Sequence, residues 1–116
     1  MNIERRHVGH RMSQIVIHGD VVYLAGQVAQ GASGKSVTEQ TRDILARIDA
    51  LLAEAGTEKA KLLTATIWLT DIASFDEMNE VWDAWLAPGN PPARACVEAR
   101  LASPEYTVDV MVPAAR

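Results

Sequence analysis

The stretch from Gly89 to Leu101 constrains the fold most, because it opens as a rigid turn and continues as an alternating strand. Its small residues share one face of that strand, and its charged or reactive residues share the other. The small residues are Ala93, Ala95, Val97 and Ala99, and the second face carries Arg94, Cys96, Glu98 and Arg100. Such a face is unusual on an inner strand, because buried polar groups need partners. We therefore expect a functional site there.

Hydrophobic periodicity in the rest of the chain predicts two helices and four further strands. Capping boxes predict that one helix follows Ser36, with Glu39, and that a second follows Ser74, with Glu77. Gly56 is placed to end the first helix, and Pro88-Gly89 the second. Strands are predicted at residues 13–18, 21–25, 62–70 and 106–112, so that the order is β-β-α-β-α-β-β.

Both predicted helices have one apolar stripe, which indicates an α+β layer fold with the two helices on one face of a mostly antiparallel sheet. The first stripe contains Val37, Ile44, Leu45, Ile48, Leu51, Leu52 and Ala55, and the second Phe75, Met78, Trp82, Trp85 and Leu86. In the third strand Leu63, Ala65, Ile67 and Leu69 are expected to face the helices. The other sheet face would then carry Thr64, Thr66, Trp68, Arg94, Cys96, Glu98, Asp109 and Met111. This mixture is too apolar for a free surface and too polar for a core, so we expect a homo-oligomer with sites at subunit boundaries.

The size and charge of the chain exclude several classes of protein. A chain of 116 residues fits one domain, residues 1–116. A net charge of -4 argues against a general nucleic-acid binder, and the arginines Arg5, Arg6 and Arg11 are interpreted as part of a solvated N-terminal segment. One cysteine leaves no internal disulfide, and neither a signal peptide nor a membrane span is expected. The default is a cytoplasmic protein without a membrane partner.

Arg94 and Cys96 are the candidate site residues that the pattern itself supplies. Arg94 can bind the carboxylate of a ligand, or it can form a structural ion pair with Glu98 or Asp109. For Cys96 a role in packing or in the wall of a site is favoured, because nothing in the sequence places a histidine beside it. The histidines are weak metal-ligand candidates, and no cofactor-binding motif is present, so neither metal nor cofactor is expected.

Three segments make the chain resemble the RidA family, also called YjgF. They are residues 23–28 (YLAGQV), 66–71 (TIWLTD) and 92–101 (PARACVEARL), and the resemblance extends over essentially the whole chain. The family implies a chorismate-mutase-like homotrimer with sites in the clefts between subunits. It also implies cofactor-free hydrolysis of reactive enamines and imines such as 2-aminoacrylate to 2-keto acids and ammonia, the activity of a 2-iminobutanoate/2-iminopropanoate deaminase. The segment 82–85 (WDAW) is more similar to a divergent, YoaB-like branch.

Matched by position, the resemblance assigns roles to three residues of this chain. Arg94 corresponds to the family arginine that holds the substrate carboxylate, and Cys96 to a cysteine that lines the same cleft. Gly26 belongs to the segment whose backbone closes the pocket.

Three other positions of the substrate-binding cleft depart from the well-studied deaminases. Ala25 replaces a serine, Met111 replaces a glutamate associated with positioning water, and Met12 lies near a tyrosine. The loss of the glutamate removes an acceptor for the proton of water, while Arg94 could still bind an anion. Two functions therefore remain open: an imine deaminase, and a module that binds or senses a small carboxylate without turnover. A nuclease or chaperone has little support from the acidic charge.

Overall fold

The computed structural model describes residues 2–116 as eight strands and two α-helices. The strands are β1 (Ile3–Val8), β2 (Ser13–His18), β3 (Val21–Leu24), β4 (Gln27–Val28), β5 (Thr64–Leu69), β6 (Ala93–Glu98), β7 (Val108–Met111) and β8 (Pro113–Ala115), and the helices are α1 (Val37–Glu54) and α2 (Phe75–Trp85). The predicted helices and central strands are confirmed, whereas β1, β4 and β8 were not predicted. Among the described helices, none is both long and apolar enough to cross a membrane.

The strands form two four-stranded sheets that the C-terminal segment connects. Their orders are β1-β2-β3-β8 and β4-β7-β5-β6, and β7 is separated from β8 by Val112 alone. Hydrogen bonds from Leu24 N to Val112 O (3.1 Å) and from Leu63 N to Pro113 O (3.0 Å) continue the pairing across this junction. The two sheets therefore behave as one bent layer, in which the described pairs are antiparallel except for the parallel pair β5–β6.

The N-terminal segment is mostly exposed, as expected of a solvated segment, but it forms a strand that the sequence analysis did not predict. β1 pairs with β2, and Arg6 lies opposite Ile15. The Nη1 atom of Arg6 donates to the backbone oxygen of Glu54 (2.7 Å), and Nε2 of His7 lies 2.7 Å from the Glu54 carboxylate. Backbone pairing and these contacts with the end of α1 hold a strand whose side chains are mostly exposed. Its polar sequence gave no hydrophobic signal.

Helix α1 has the boundaries and the buried stripe that its sequence predicts. The Oγ atom of Ser36 accepts a hydrogen bond from the backbone N–H of Glu39 (3.1 Å), and Gly56 follows the helix with φ +81°. The buried apolar side chains of this stripe are Ile44, Leu45, Ile48, Leu52 and Ala55, while Val37 and Leu51 are partly buried.

The start of α2 differs from the second predicted capping box. Ser74 Oγ donates to the backbone oxygen of Asp71 (2.7 Å). The carboxylate of Glu77 accepts instead from both N–H and Oγ1 of Thr38 on α1, each at 2.9 Å. Glu77 therefore joins the two helices rather than capping its own. Met78 and Trp82 are buried on the side of α2 that faces the core.

The core lies between the bent sheet and the two helices, so the predicted α+β arrangement is confirmed. Ala65, Ile67 and Leu69 of β5 are buried in it, as their alternation predicts. Leu63 is 45% exposed, and Leu62 is buried in its place. The reason is that a short 3-10 turn, Lys59–Lys61, precedes the strand, so the alternating geometry begins only at Thr64.

Candidate active site

The strand that carries Arg94 lies at the edge of its sheet rather than inside it. β6 pairs in parallel with β5, and Arg94 lies opposite Ala65, while Cys96 lies opposite Ile67. Residues opposite each other on paired strands point to the same face of a sheet. Arg94, Cys96 and Glu98 therefore share the helix-facing side.

The predicted face for these three residues was wrong, although the alternation itself was right. Alternation shows which residues share a face, but it does not show which face meets the helices. At a sheet edge a long polar side chain can face the helices and still extend past them, so that its polar end reaches solvent. The opposite face of the sheet instead carries Thr64, Thr66, Trp68, Ala93, Ala95, Val97, Asp109 and Met111, which we call the outer face.

Helix α2 holds the guanidinium group of Arg94 in place. Nη1 of Arg94 donates to Oδ1 of Asn79 (2.6 Å). The guanidinium carbon lies 5.4 Å from the centre of the Trp82 ring and 5.6 Å from that of Phe75. These three helix residues are four and three positions apart, so they lie on one stripe of α2. A cation over two aromatic faces with one fixed hydrogen bond is well oriented.

Neither carboxylate considered as a structural partner pairs with Arg94. Glu98 accepts a hydrogen bond from the backbone N–H of Ile72 (3.0 Å), and Asp109 lies on the outer face. Within residues 2–116, Arg94 forms no ion pair. The guanidinium group therefore retains donors for a ligand.

A cleft of about 490 Å³ beside Arg94 restricts the direction from which an anion can arrive. Three carboxylates of α2, those of Asp76, Glu80 and Asp83, line this cleft together with Arg94. They repel an anion on that side. We therefore expect a carboxylate to reach Arg94 from the open edge of β6.

Cys96 is a neighbour of Arg94 that packs against the core. Its side chain is half-buried and contacts the apolar cluster between sheet and helices. Burial raises the pKa of the Cys96 thiol, and the positive charge of Arg94 opposes this effect only in part. A thiol with a raised pKa is a poor nucleophile at neutral pH. Cys96 is thus suited to the wall of a site.

The second group of predicted residues lies where β3 passes into β4. Ala25 and Gly26 connect these strands, and the backbone N–H of Ala25 donates to Gln14 O (3.0 Å). A Cβ atom on Gly26 would lie 2.9 Å from Oδ1 of Asp109, so the close approach of this carboxylate requires a glycine. Gly26 also lines a groove of about 530 Å³ with Met12.

Met111 and Asp109 belong to this second group, because both lie on the outer face of β7. Met111 is opposite Thr66 and is 43% exposed, while Asp109 is opposite Trp68 and touches Gly26. Sequence reasoning placed Asp109 on one sheet face with Met111, but gave it no role other than that of a possible partner for Arg94. The alternation of β7 predicted the shared face of Asp109 and Met111 correctly, whereas the contact of Asp109 with Gly26 depends on the pairing of β4 with β7.

One chain does not bring the two groups together. Gly26 precedes β4, and β4 lies three strand positions from β6 in the order β4-β7-β5-β6. This corresponds to about 14 Å at the usual strand spacing. The side chain of Arg94 points to the helix side, whereas those of Asp109 and Met111 point to the outer face. Within residues 2–116, no group of three or more His, Cys, Asp or Glu side chains is arranged to hold a metal ion.

The bent sheet, with both helices on one face, places the protein in the chorismate-mutase-like class of α+β folds.

The sequence profile of the Endoribonuclease L-PSP family matches residues 4–116. The chain is similar to a RutC family protein of Haemophilus ducreyi, with 42% identity over 113 residues that cover 97% of this chain and 96% of the relative. It is also similar to the RutC family protein YoaB of Escherichia coli K12, with 40% identity over 115 residues and 99% of each chain covered.

A solved structure agrees with these sequence matches. The crystal structure of a YjgF family member from Neisseria meningitidis superposes with a TM-score of 0.96 at 46% identity. The superposition covers 100% of this chain and 96% of that one. The chain therefore belongs to the RidA/YjgF family.

Proposed function

We propose that the protein is a cofactor-free enamine/imine deaminase that hydrolyses a small 2-imino acid to a 2-keto acid and ammonia. The observation that carries the proposal is that Arg94 is held in a fixed orientation but has no ion-pair partner among residues 2–116. Its guanidinium group is oriented by Asn79 and two aromatic rings, and it forms no ion pair within residues 2–116. Such a group suits a carboxylate ligand, which it can bind through two charge-assisted hydrogen bonds.

The proposed site is a cleft between two copies of the chain in a homotrimer. The edge of β6 supplies Arg94 and Cys96 from one copy, and Ala25, Gly26 and Met111 come from the next. The separation of the two groups within a chain supports this division. Gly26 lies about 14 Å from β6, at three strand spacings, and Met111, at two strand spacings, points to the opposite face of the sheet from Arg94. An imino acid with its carboxylate on Arg94 would then present its imine carbon to water beside Gly26.

The activity is tested by generating 2-iminopropionate with an amino-acid oxidase and following its conversion to the keto acid with and without protein. We expect Arg94→Ala to lower kcat/KM by at least roughly a hundredfold, since it removes the charge and both hydrogen bonds. Arg94→Lys should recover part of this loss, because it restores the charge without the paired donors. The matched control is Arg42→Ala, which removes an exposed arginine of α1. Equal turnover by the Arg94→Ala and wild-type proteins would disprove the assignment.

The alternative is a module that binds or senses a small carboxylate without converting it. Ala25 and Met111 favour it, because neither side chain can accept a proton from water. This alternative predicts that pyruvate raises the melting temperature of the wild-type protein but not of Arg94→Ala, while the decay of 2-iminopropionate is not accelerated. Faster decay with wild-type protein excludes it.

A further inference from the structure

The groove of about 530 Å³ beside Gly26 continues from the proposed site to helix α1. It is lined by residues of β1, β2, β4 and α1, and its apolar wall includes Met12, Val28 and Leu51. Gly26 belongs both to this groove and to the half-site proposed above. A substrate whose imine carbon lies beside Gly26 would therefore extend its side chain into the groove. The groove is larger than a methyl side chain needs, so its polar lining should determine which side chains fit.

Two glutamine side chains in the wall of the groove are joined by a hydrogen bond. Nε2 of Gln27 donates to Oε1 of Gln14 (2.7 Å) and to the backbone oxygen of Ala25 (3.0 Å), so both of its protons are used. Within residues 2–116, nothing donates to Oε1 of Gln27 and nothing accepts from Nε2 of Gln14. Neither of these two atoms is among the buried side-chain atoms that lack a partner, so both remain accessible from the groove.

The contacts of this glutamine pair fix the direction of each amide group. A reversed Gln27 amide would place its oxygen against two other oxygens, so Oε1 of Gln27 is left as an acceptor toward the groove. Gln14 uses its oxygen in the pair and keeps its Nε2 protons as donors. One acceptor and one donor side by side complement a carboxamide, which has a carbonyl oxygen next to an NH₂ group. A carboxylate has no proton to donate to Oε1 of Gln27.

The groups in the groove that can carry a positive charge are each paired with a carboxylate outside its lining. Nε of Arg47 lies 2.7 Å from Oδ2 of Asp43, and Nε2 of His7 lies 2.7 Å from the Glu54 carboxylate. A cationic side chain would meet Arg47, and an anionic one would compete with Asp43 for it. The charge balance of the groove therefore favours a side chain that is polar and neutral.

We propose that the groove binds the side chain of the substrate and selects 2-imino acids that carry a carboxamide, such as the imine formed by oxidation of glutamine. The proposal rests on the function proposed above and adds the class of side chain. The amide oxygen accepts from Nε2 of Gln14, the amide nitrogen donates to Oε1 of Gln27, and the methylene groups contact Met12 and Leu51. The carboxamide itself is unchanged: water adds to the imine carbon, and the imine nitrogen leaves as ammonia.

The test compares three imines of similar length, generated in place by amino-acid oxidases from glutamine, methionine and glutamate. Ammonium release is measured with and without the wild-type protein, and the uncatalysed rate is subtracted. We expect kcat/KM for the glutamine-derived imine to exceed each of the other two by at least about tenfold, because a site built for hydrogen bonds discriminates against ligands that cannot form them.

Two substitutions of Gln14 separate recognition from a structural role. Gln14→Leu removes the donor, and Gln14→Glu removes it while keeping the acceptor for Gln27 and the size of the side chain. Both should lower the ratio of kcat/KM between the glutamine- and methionine-derived imines by about tenfold. Asn90→Leu, which removes an exposed amide outside the groove, is the matched control and should keep the wild-type ratio.

The outcomes distinguish this inference from the proposed function. If the wild-type protein accelerates the decay of 2-iminopropionate but shows no preference for the glutamine-derived imine, the groove does not select a carboxamide although the deaminase assignment stands. This comparison needs no variant, so it decides the question even if the Gln14 variants fail to fold. A preference that Gln14→Glu retains in full also overturns the inference. If the wild-type protein accelerates the decay of none of these imines, both proposals fall together.

Discussion

At the scale of single residues, an oriented guanidinium group without an ion pair contrasts with a carboxyl group that has a buried, unpaired oxygen. Arg94 has a hydrogen bond and two aromatic neighbours, whereas Oδ1 of Asp109 is buried without a donor among residues 2–116. The first arrangement keeps the guanidinium group oriented, and the second keeps a carboxyl group in an unfavourable environment. Groups with perturbed pKa values at clefts are frequently functional, because catalysis requires them to be in a less stable state.

The burial of Asp109 has a consequence for stability that its removal should reveal. A carboxyl whose pKa is higher in the folded than in the unfolded state binds protons more tightly when folded, so stability falls as the pH rises through that interval. At pH 7 the ionised Asp109 therefore disfavours folding. We expect Asp109→Asn to have a higher melting temperature than wild type at pH 7, with the difference decreasing toward pH 4. A lower melting temperature for Asp109→Asn at pH 7 would contradict this, and Asp20→Asn serves as the control.

At the scale of elements, α2 orients Arg94 of β6. Its stripe of Phe75, Asn79 and Trp82 follows from helical spacing, and it meets Arg94 because β6 lies at the sheet edge next to the helix. The interaction joins residues that are distant in sequence. It makes the orientation of the guanidinium group depend on the docking of α2.

This dependence predicts the effect of Asn79→Ala on ligand binding. The substitution removes the acceptor 2.6 Å from Nη1 of Arg94 and frees the guanidinium group to rotate. We expect pyruvate to bind about three- to tenfold more weakly, corresponding to roughly 1 kcal/mol for one lost hydrogen bond. Isothermal titration calorimetry gives the Kd, and Asn90→Ala is the control. In a protein that already carries Arg94→Ala, Asn79→Ala should not weaken pyruvate binding further. If it weakened binding by the same factor as in the wild-type protein, Asn79 would act independently of Arg94.

How far the sequence predicts these elements depends on whether the signal is local. Helix α1 was predicted correctly, because the cap at Ser36 and the 3.6-residue periodicity lie within the helix itself. Strand β1 was missed, since backbone pairing holds its polar residues. The face of Arg94 was misassigned, because it depends on the parallel register with β5, which no local pattern specifies. The contact of Gly26 with Asp109 is likewise between strands that are distant in sequence.

At the scale of the whole molecule, the outer face is the surface that one chain leaves uncovered. Both helices pack on the other side, and this face carries the half-buried Trp68 together with Val97 and Met111, which are 46% and 43% exposed. A contiguous apolar surface of this kind is typical of a protein interface. The face also contains Asp109 and Met111, so its burial against another copy would enclose half of the proposed site.

Val97→Glu is therefore expected to disrupt the assembly of the proposed trimer, since it introduces a charge on the outer face without touching the core. Light scattering after gel filtration should give three times the 12.6 kDa chain mass for the wild type and a single chain mass for the variant. Ile72→Glu is the matched control, because Ile72 is equally exposed at 45% but lies in the turn before α2. The proposed deaminase activity should decrease together with the trimer in Val97→Glu, although Arg94 is intact, because the proposed site takes residues from two copies. Full activity in a monomeric variant would place the complete site within one chain and exclude the shared cleft.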